Sequence, residues 1–86
     1  MTEKPVIMIV DDEIANIEMI GAILEDDYEI LFARSGHQAI EVASKYALDL
    51  ILLDVMMPGM DGYETCRRMK LDLNLSNVPV IFTTSL

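Results

Sequence analysis

Oxygen-bearing side chains follow three separate apolar runs in this chain. They are Asp11 and Asp12 after the first run, Asp54 after the second, and Thr83 and Thr84 after the third. Two carboxylates about 4 Å apart repel each other by about 1–4 kcal/mol, so a cluster of them needs a proton or a cation to neutralise it. Oxygen ligands suit Mg²⁺, which binds one or two carboxylates together with a phosphate. If the runs lie side by side, these residues form a small magnesium site in which one carboxylate could attack phosphorus.

The apolar runs predict strands of a parallel sheet. Residues 5–10, 50–53 and 78–82 are apolar at almost every position, which is typical of strands that are buried on both faces. Residues 28–33 form a more polar run. We interpret this run as a further strand at an edge of the sheet.

Apolar residues at helical spacing occupy the segments between the runs. The three stripes are Ile14, Ile17, Gly21 and Leu24; Ile40, Ala43 and Ala47; and Gly62, Cys66, Met69 and Leu73. Ser35 and Gly36 are predicted to begin the second helix, and Asp61 to cap the N-terminus of the third. The resulting order, β-α-β-α-β-α-β, indicates an α/β fold with a parallel sheet, right-handed crossovers and helices on both faces.

Such a fold would bring the polar residues together. In open parallel sheets, ligands bind at the carboxyl ends of the strands, near the point where the strand order reverses. A single aspartate at a strand end more often caps a helix or faces solvent. Four polar ends on three apolar strands (Asp11, Asp12, Asp54 and Thr84) are harder to explain in that way, and we therefore predict a shared site.

Three blocks of sequence resemble the signature blocks of response-regulator receiver domains. They are VDDE at 10–13, LLDVMMPGMDG at 52–62 and PVIFTT at 79–84, of which the middle block is the most specific. The resemblance covers the whole chain in the right order. It implies a flavodoxin-like (CheY-like) doubly wound parallel sheet with strand order 2-1-3-4-5, of which this chain would contain β1-α1-β2-α2-β3-α3-β4.

The resemblance also assigns roles to individual residues. It makes Asp54 the phospho-acceptor and Thr84 the switch hydroxyl that moves to bond a phosphoryl oxygen. It makes Asp12 a direct Mg²⁺ ligand, with Asp11 acting mainly through a metal-bound water. Met56 would offer its backbone carbonyl to the metal, so the identity of its side chain would matter little.

The implied function is that of a phosphorelay signalling module. Asp54 would receive a phosphoryl group from a sensor histidine kinase or a phosphotransfer protein, in a Mg²⁺-dependent reaction that switches partner interactions. The output domain is not specified by these residues. Receivers also dephosphorylate themselves, but they do not turn over external substrates, so we do not expect an enzyme. His37, which follows Gly36, is expected to be a surface residue and not a phosphohistidine.

Composition limits the other possibilities. The 86 residues suffice for one small domain, and 52% of them are hydrophobic. A net charge of −9 disfavours nucleic acid and anionic membranes as direct partners. The single cysteine, Cys66, fits a reducing cytoplasm and is expected to be a small buried residue.

The end of the sequence carries a separate expectation. A complete receiver continues after the position of Thr84 with a fifth strand, flanking helices and a lysine that pairs with the phosphoryl group. Lys4, Lys45 and Lys70 lie outside the matching position. We therefore expect 1–86 to be a single, C-terminally truncated receiver, whose fourth strand forms an exposed apolar edge that favours self-association. The alternative function is a truncated receiver that acts as an interaction or self-association element without phosphorylation.

Two other chemistries fit less well. An aspartyl phosphatase of a related α/β fold typically has a second acid two residues after the nucleophile, where this chain has Met56. A calcium loop over 54–62 would need oxygen ligands at alternate positions, and Met56 and Pro58 occupy two of them.

Overall fold

The computed structural model describes residues 3–84, which form four strands and three helices in strict alternation. In chain order these elements are β1 (Val6–Val10), α1 (Ile14–Leu24), β2 (Glu29–Ala33), α2 (Gly36–Lys45), β3 (Leu50–Asp54), α3 (Gly62–Lys70) and β4 (Val80–Thr83). The predicted order is confirmed. The fourth strand begins after Pro79 and not at Val78, because the N–H of Val78 donates to Leu75 O at 3.1 Å in the preceding turn and Pro79 has no N–H to donate to a neighbouring strand.

The four strands form one parallel sheet in the order β2-β1-β3-β4. This order and the helices on the two faces confirm the flavodoxin-like, doubly wound fold, and β2 lies at an edge as predicted. Val10 pairs with Ala33 on one side and Leu53 on the other, and Asp54 pairs with Thr83. The registers therefore align the carboxyl ends of the strands at one edge of the sheet.

The sheet separates two apolar layers, because successive strand side chains point to opposite faces. On β1, Ile7 and Ile9 belong to the layer that contains Ile17 of α1. Met8 and Val10 belong to the larger layer, which α2 and α3 cover. Both faces of β1 are thus buried, which explains why its sequence is apolar at every position.

Side-chain caps begin the second and third helices. Ser35 Oγ accepts a hydrogen bond from the backbone N–H of Gln38 at 3.1 Å, and Asp61 Oδ1 accepts one from Glu64 N at 2.9 Å. Both predicted helix starts are confirmed. Within residues 3–84, no helix has the length and apolar character needed to cross a bilayer.

Two residues of the predicted helix stripes lie outside the helices. Ala47 follows the end of α2 and is exposed, and Leu73 follows the end of α3 and is 87% exposed. Both helices therefore end earlier than the spacing of their apolar residues predicts. Tyr46 has an extended backbone, which ends α2, and Lys70 Nζ donates to backbone carbonyls of the segment after α3, which holds that segment in a non-helical path.

One residue of the first predicted stripe also departs from its expected burial. Ile14 is the first residue of α1 and is 49% exposed, whereas Ile17, one turn further along, is buried. Ile14 lies beyond the end of β1, so the sheet does not cover it.

Candidate metal centre and acceptor carboxylate

Three carboxylates converge at the carboxyl edge of the sheet. Asp11 and Asp12 follow β1, and Asp54 ends the neighbouring strand β3. One carboxylate oxygen from each residue lies within 4.8 Å of the corresponding oxygens of the other two. The predicted site requires these two strands to be adjacent, and β1 does pair with β3.

Asp54 is fully buried, at 0% exposure. Its Oδ1 accepts a hydrogen bond at 3.2 Å from the backbone N–H of Met56, two residues further along the chain. A buried carboxylate is tolerated only when it is hydrogen-bonded or balanced by positive charge. The short turn after β3 therefore both solvates Asp54 and determines the direction in which its carboxylate points.

Asp11 is held at both carboxylate oxygens. It is 4% exposed, with Oδ1 accepting from Glu13 N at 2.9 Å and Oδ2 accepting from Asn16 Nδ2 at 3.1 Å. Asp12, between Asp11 and Glu13, is only half-buried. Sequence reasoning missed Asn16, because a single amide in the first turn of a helix carries no recognisable motif.

Repulsion among the carboxylates of the cluster would be relieved by a cation or by a bound proton. Two ionised carboxylates at this separation repel by about 3 kcal/mol at an effective dielectric constant of about 20. Every buried side-chain nitrogen and oxygen in residues 3–84 has a hydrogen-bond partner. The unfavourable energy at the cluster therefore comes from repulsion between charges and not from missing hydrogen bonds. The donor set, made of hard carboxylate oxygens around a small space, fits Mg²⁺.

The loop between β3 and α3 approaches the site very closely. Gly62 donates its backbone N–H to Val55 O at 2.9 Å. A Cβ atom on Gly62 would lie 2.3 Å from the carbonyl oxygen of Asp54 and 2.8 Å from the Cα of Val55, so no other residue fits without moving the backbone. The side chain of Met56 is 69% exposed, and it takes no part in the packing around the carboxylates.

The hydroxyl residues lie at the same edge of the sheet. Thr83 ends β4, and Thr84 follows it as an exposed residue. Both line a shallow groove together with Asp11, Asn16 and other residues of α1. Thr84, the predicted switch residue, thus borders the groove that also contains one of the three carboxylates.

Comparisons with known proteins agree with this arrangement. Residues 7–86 match the family model of the response regulator receiver domain. The chain is 43% identical over 81 residues to Response regulator PleD of Caulobacter vibrioides, covering 93% of this chain and 18% of PleD. It is 42% identical over 80 residues to the histidine-protein kinase BarA of Escherichia coli K12, covering 92% of this chain and 9% of BarA. The chain thus spans less than a fifth of the length of these curated relatives.

A solved structure matches the fold as well. The receiver domain of the sensor histidine kinase PA1611 from Pseudomonas aeruginosa PAO1 superimposes with a TM-score of 0.87 at 31% identity, covering 93% of this chain and 66% of that one. That receiver holds a magnesium ion in its active-site cleft. The motifs, the fold and the family match all lead to one assignment: this chain belongs to the response regulator receiver domain family.

Proposed function

We propose that residues 1–86 act as one phosphorelay module, in which Asp54 accepts a phosphoryl group from a sensor histidine kinase or a phosphotransfer protein. The observation that carries this proposal is the position of Asp54, fully buried and within 4.8 Å of the carboxylate oxygens of Asp11 and Asp12. A nucleophile placed among other carboxylates needs a cation before an anionic donor can approach it.

The three aspartates have different surroundings, which suits different roles. Asp12 is half-buried, and its carboxylate accepts no hydrogen bond from residues 3–84, so it can turn to ligate Mg²⁺ directly. Asp11 has both oxygens engaged by Glu13 and Asn16, which suits contact through a metal-bound water. Bound Mg²⁺ would neutralise the cluster and the charge that develops on the phosphoryl oxygens. The backbone carbonyl of Met56 is proposed as a further ligand.

Thr84 is the proposed switch residue. It lies directly after β4 and lines the groove beside Asp11. An exposed hydroxyl at this place can move towards a new phosphoryl oxygen without breaking buried packing. Such a movement would change the surface that β4 and α3 present to partners, which would be other signalling proteins in the cytoplasm.

The direct test is phosphorylation by a small donor. The purified domain is incubated with acetyl phosphate, with and without Mg²⁺, and its intact mass is recorded. We expect the mass of one phosphoryl group to be added in the presence of Mg²⁺ only, and to be absent from Asp54→Asn. Equal labelling of Asp54→Asn would show that the acceptor assignment is wrong.

A second function is supported by a separate observation. In the described part of the chain β4 is an edge strand, on which Ile81 is 52% and Phe82 41% exposed. An exposed apolar strand can pair with another chain. The domain could therefore act as an interaction element that associates through β4 without being phosphorylated. A wild-type domain that associates through β4 but takes up no phosphoryl group would favour this alternative.

A further inference from the structure

Most of the cations in residues 3–84 lie away from the carboxylate cluster or are already engaged. Lys4 donates to Glu25 O, and Lys70 donates to backbone carbonyls after α3. Lys45 lies in the last turn of α2, far from the carboxyl ends of the strands. Arg67 and Arg68 both bind Glu64, and they lower the pKa of its carboxyl to about 2, with the hydrogen bond from Arg67 as the largest cause.

Arg34 differs from these residues in its position. It follows the last residue of β2, Ala33, whose carbonyl accepts a hydrogen bond from Asp11 N at 3.1 Å. One guanidinium nitrogen of Arg34 donates to the backbone carbonyl of Asp12 at 3.2 Å. The guanidinium is therefore fixed to the backbone of a residue whose carboxylate belongs to the cluster.

The local structure holds Arg34 in this place and leaves its charge accessible. Its backbone N–H donates to Gln38 Oε1 at 2.6 Å, which ties the end of β2 to the first turn of α2. Arg34 is exposed, and among residues 3–84 it makes no ion pair. A guanidinium has five N–H donors in a planar fork that matches phosphate oxygens, and the Asp12 carbonyl uses only part of them.

We propose that Arg34 is a cationic partner of the acceptor site. Its positive charge attracts the anionic phosphodonor and weakens the binding of Mg²⁺ by the carboxylates. This inference rests on the proposed function. A fixed positive charge beside the cluster acts with opposite sign on the two ligands: it favours a phosphoryl group and opposes a divalent cation. Simple structural damage would instead weaken both interactions.

The experiment measures both ligands on the same set of variants. Arg34→Gln removes the charge and keeps a side chain able to donate to the Asp12 carbonyl, and Arg34→Lys keeps the charge. Lys45→Gln is the matched control, because it removes one exposed positive charge that lies far from the carboxyl ends of the strands. The Mg²⁺ dissociation constant is measured by isothermal titration calorimetry, and the labelling rate with acetyl phosphate is measured at saturating Mg²⁺.

We expect Arg34→Gln to tighten Mg²⁺ binding about threefold and to slow labelling about threefold at low ionic strength, because a solvent-exposed charge at this range changes an interaction by a modest factor. Arg34→Lys should lie close to wild type, and Lys45→Gln should change neither quantity. Both effects of Arg34→Gln should shrink at about 0.5 M salt, where charges are screened within a few ångströms.

Two results would overturn the role of Arg34: a loss of both Mg²⁺ affinity and labelling rate in Arg34→Gln, or no change in either. A wild-type domain that binds Mg²⁺ but is never labelled would instead refute the proposed function. In that case the Mg²⁺ titration alone decides the matter, since tighter binding by Arg34→Gln supports its electrostatic role and unchanged binding refutes it.

Discussion

At the scale of single residues, the site combines strongly buried charge with local hydrogen bonding. Asp54 and Asp11 are almost completely buried, and each accepts a backbone N–H from the residue two positions further along the chain. These short turns supply part of the solvation that burial removes. They do not remove the repulsion between the carboxylates, which is why the folded domain should respond to a divalent cation.

Asp12 should carry most of that response. Mg²⁺ at about ten times its dissociation constant should stabilise the wild-type domain by about 1.4 kcal/mol, whereas Asp12→Ala should lose this stabilisation. Without Mg²⁺, Asp12→Ala should be at least as stable as wild type, because the change removes one of the repelling charges. Thermal melts with and without Mg²⁺ measure both effects.

The matched control for Asp12→Ala is Asp26→Ala, which removes an exposed carboxylate from the turn after α1. This variant should keep the full Mg²⁺ response. If Mg²⁺ stabilised Asp12→Ala as much as it stabilises wild type, Asp12 would not be a ligand.

At the scale of elements, the start of α3 lies in direct backbone contact with the end of β3. Gly62 lets the helix begin against the backbone of Asp54, and its N–H bonds to Val55 O. The PGMDG segment at 58–62 thus shapes the loop and also brings the helix next to Asp54, the proposed acceptor residue. Loop geometry and site geometry are coupled through this contact.

Gly62→Ala tests this coupling. The added Cβ would lie 2.3 Å from a backbone carbonyl, which cannot move away as a flexible side chain could. We expect the free energy of unfolding to fall by about 1–3 kcal/mol, in the range of other overpacked sites. Mg²⁺ should also stabilise this variant less than wild type, because the backbone of Asp54 must shift. Urea unfolding with and without Mg²⁺ measures both quantities.

Gly21→Ala provides the opposite expectation within the same chain. Gly21 lies inside α1, and a Cβ there would lie 3.9 Å from its nearest neighbour, Ile30 Cγ2, an ordinary contact. Alanine should therefore stabilise the helix by up to about 1 kcal/mol and leave the Mg²⁺ response unchanged. Equal effects of the two substitutions would contradict the special role of Gly62.

At the scale of the whole molecule, β4, an edge strand within residues 3–84, favours association through its exposed apolar residues, whereas the net charge of −9 opposes it. Ile81 and Phe82 are exposed on β4, and the ring of Phe82 lies 5.0 Å from that of Tyr63, which is 60% exposed. Burying a few hundred Å² of such surface contributes several kcal/mol at about 25 cal/mol per Å², against an association cost of about 4 kcal/mol or more. Repulsion between two acidic domains opposes association as well.

We therefore expect weak self-association that increases with both protein and salt concentration. Light scattering over a hundredfold concentration range should show a rising mass, more steeply at high salt, where the repulsion is screened. Ile81→Lys should shift the population towards monomer, whereas Tyr46→Lys, which changes an exposed aromatic residue just after α2, should not. A mass that stays monomeric under all these conditions would contradict self-association through β4.

Local patterns in the sequence determined much of this molecule. Continuous apolar runs predict buried strands because both faces of a parallel sheet are covered, and Ser35 and Asp61 predict helix starts because a cap is a contact between residues close in the chain. The helix ends were less well predicted. An apolar residue such as Leu73 continues the spacing of a stripe even where the chain has left the helix.

Only the tertiary structure decided which distant residues meet. The pairing of β1 with β3 places Asp54 beside Asp11 and Asp12, and the pairing of β1 with β2 brings Arg34 to the Asp12 carbonyl. Strand order depends on how the whole sheet buries its two faces, which no local spacing records. The sequence by itself therefore determined which carboxylates could form the site, whereas the fold placed Asn16 against the Asp11 carboxylate and Arg34 against the Asp12 backbone carbonyl.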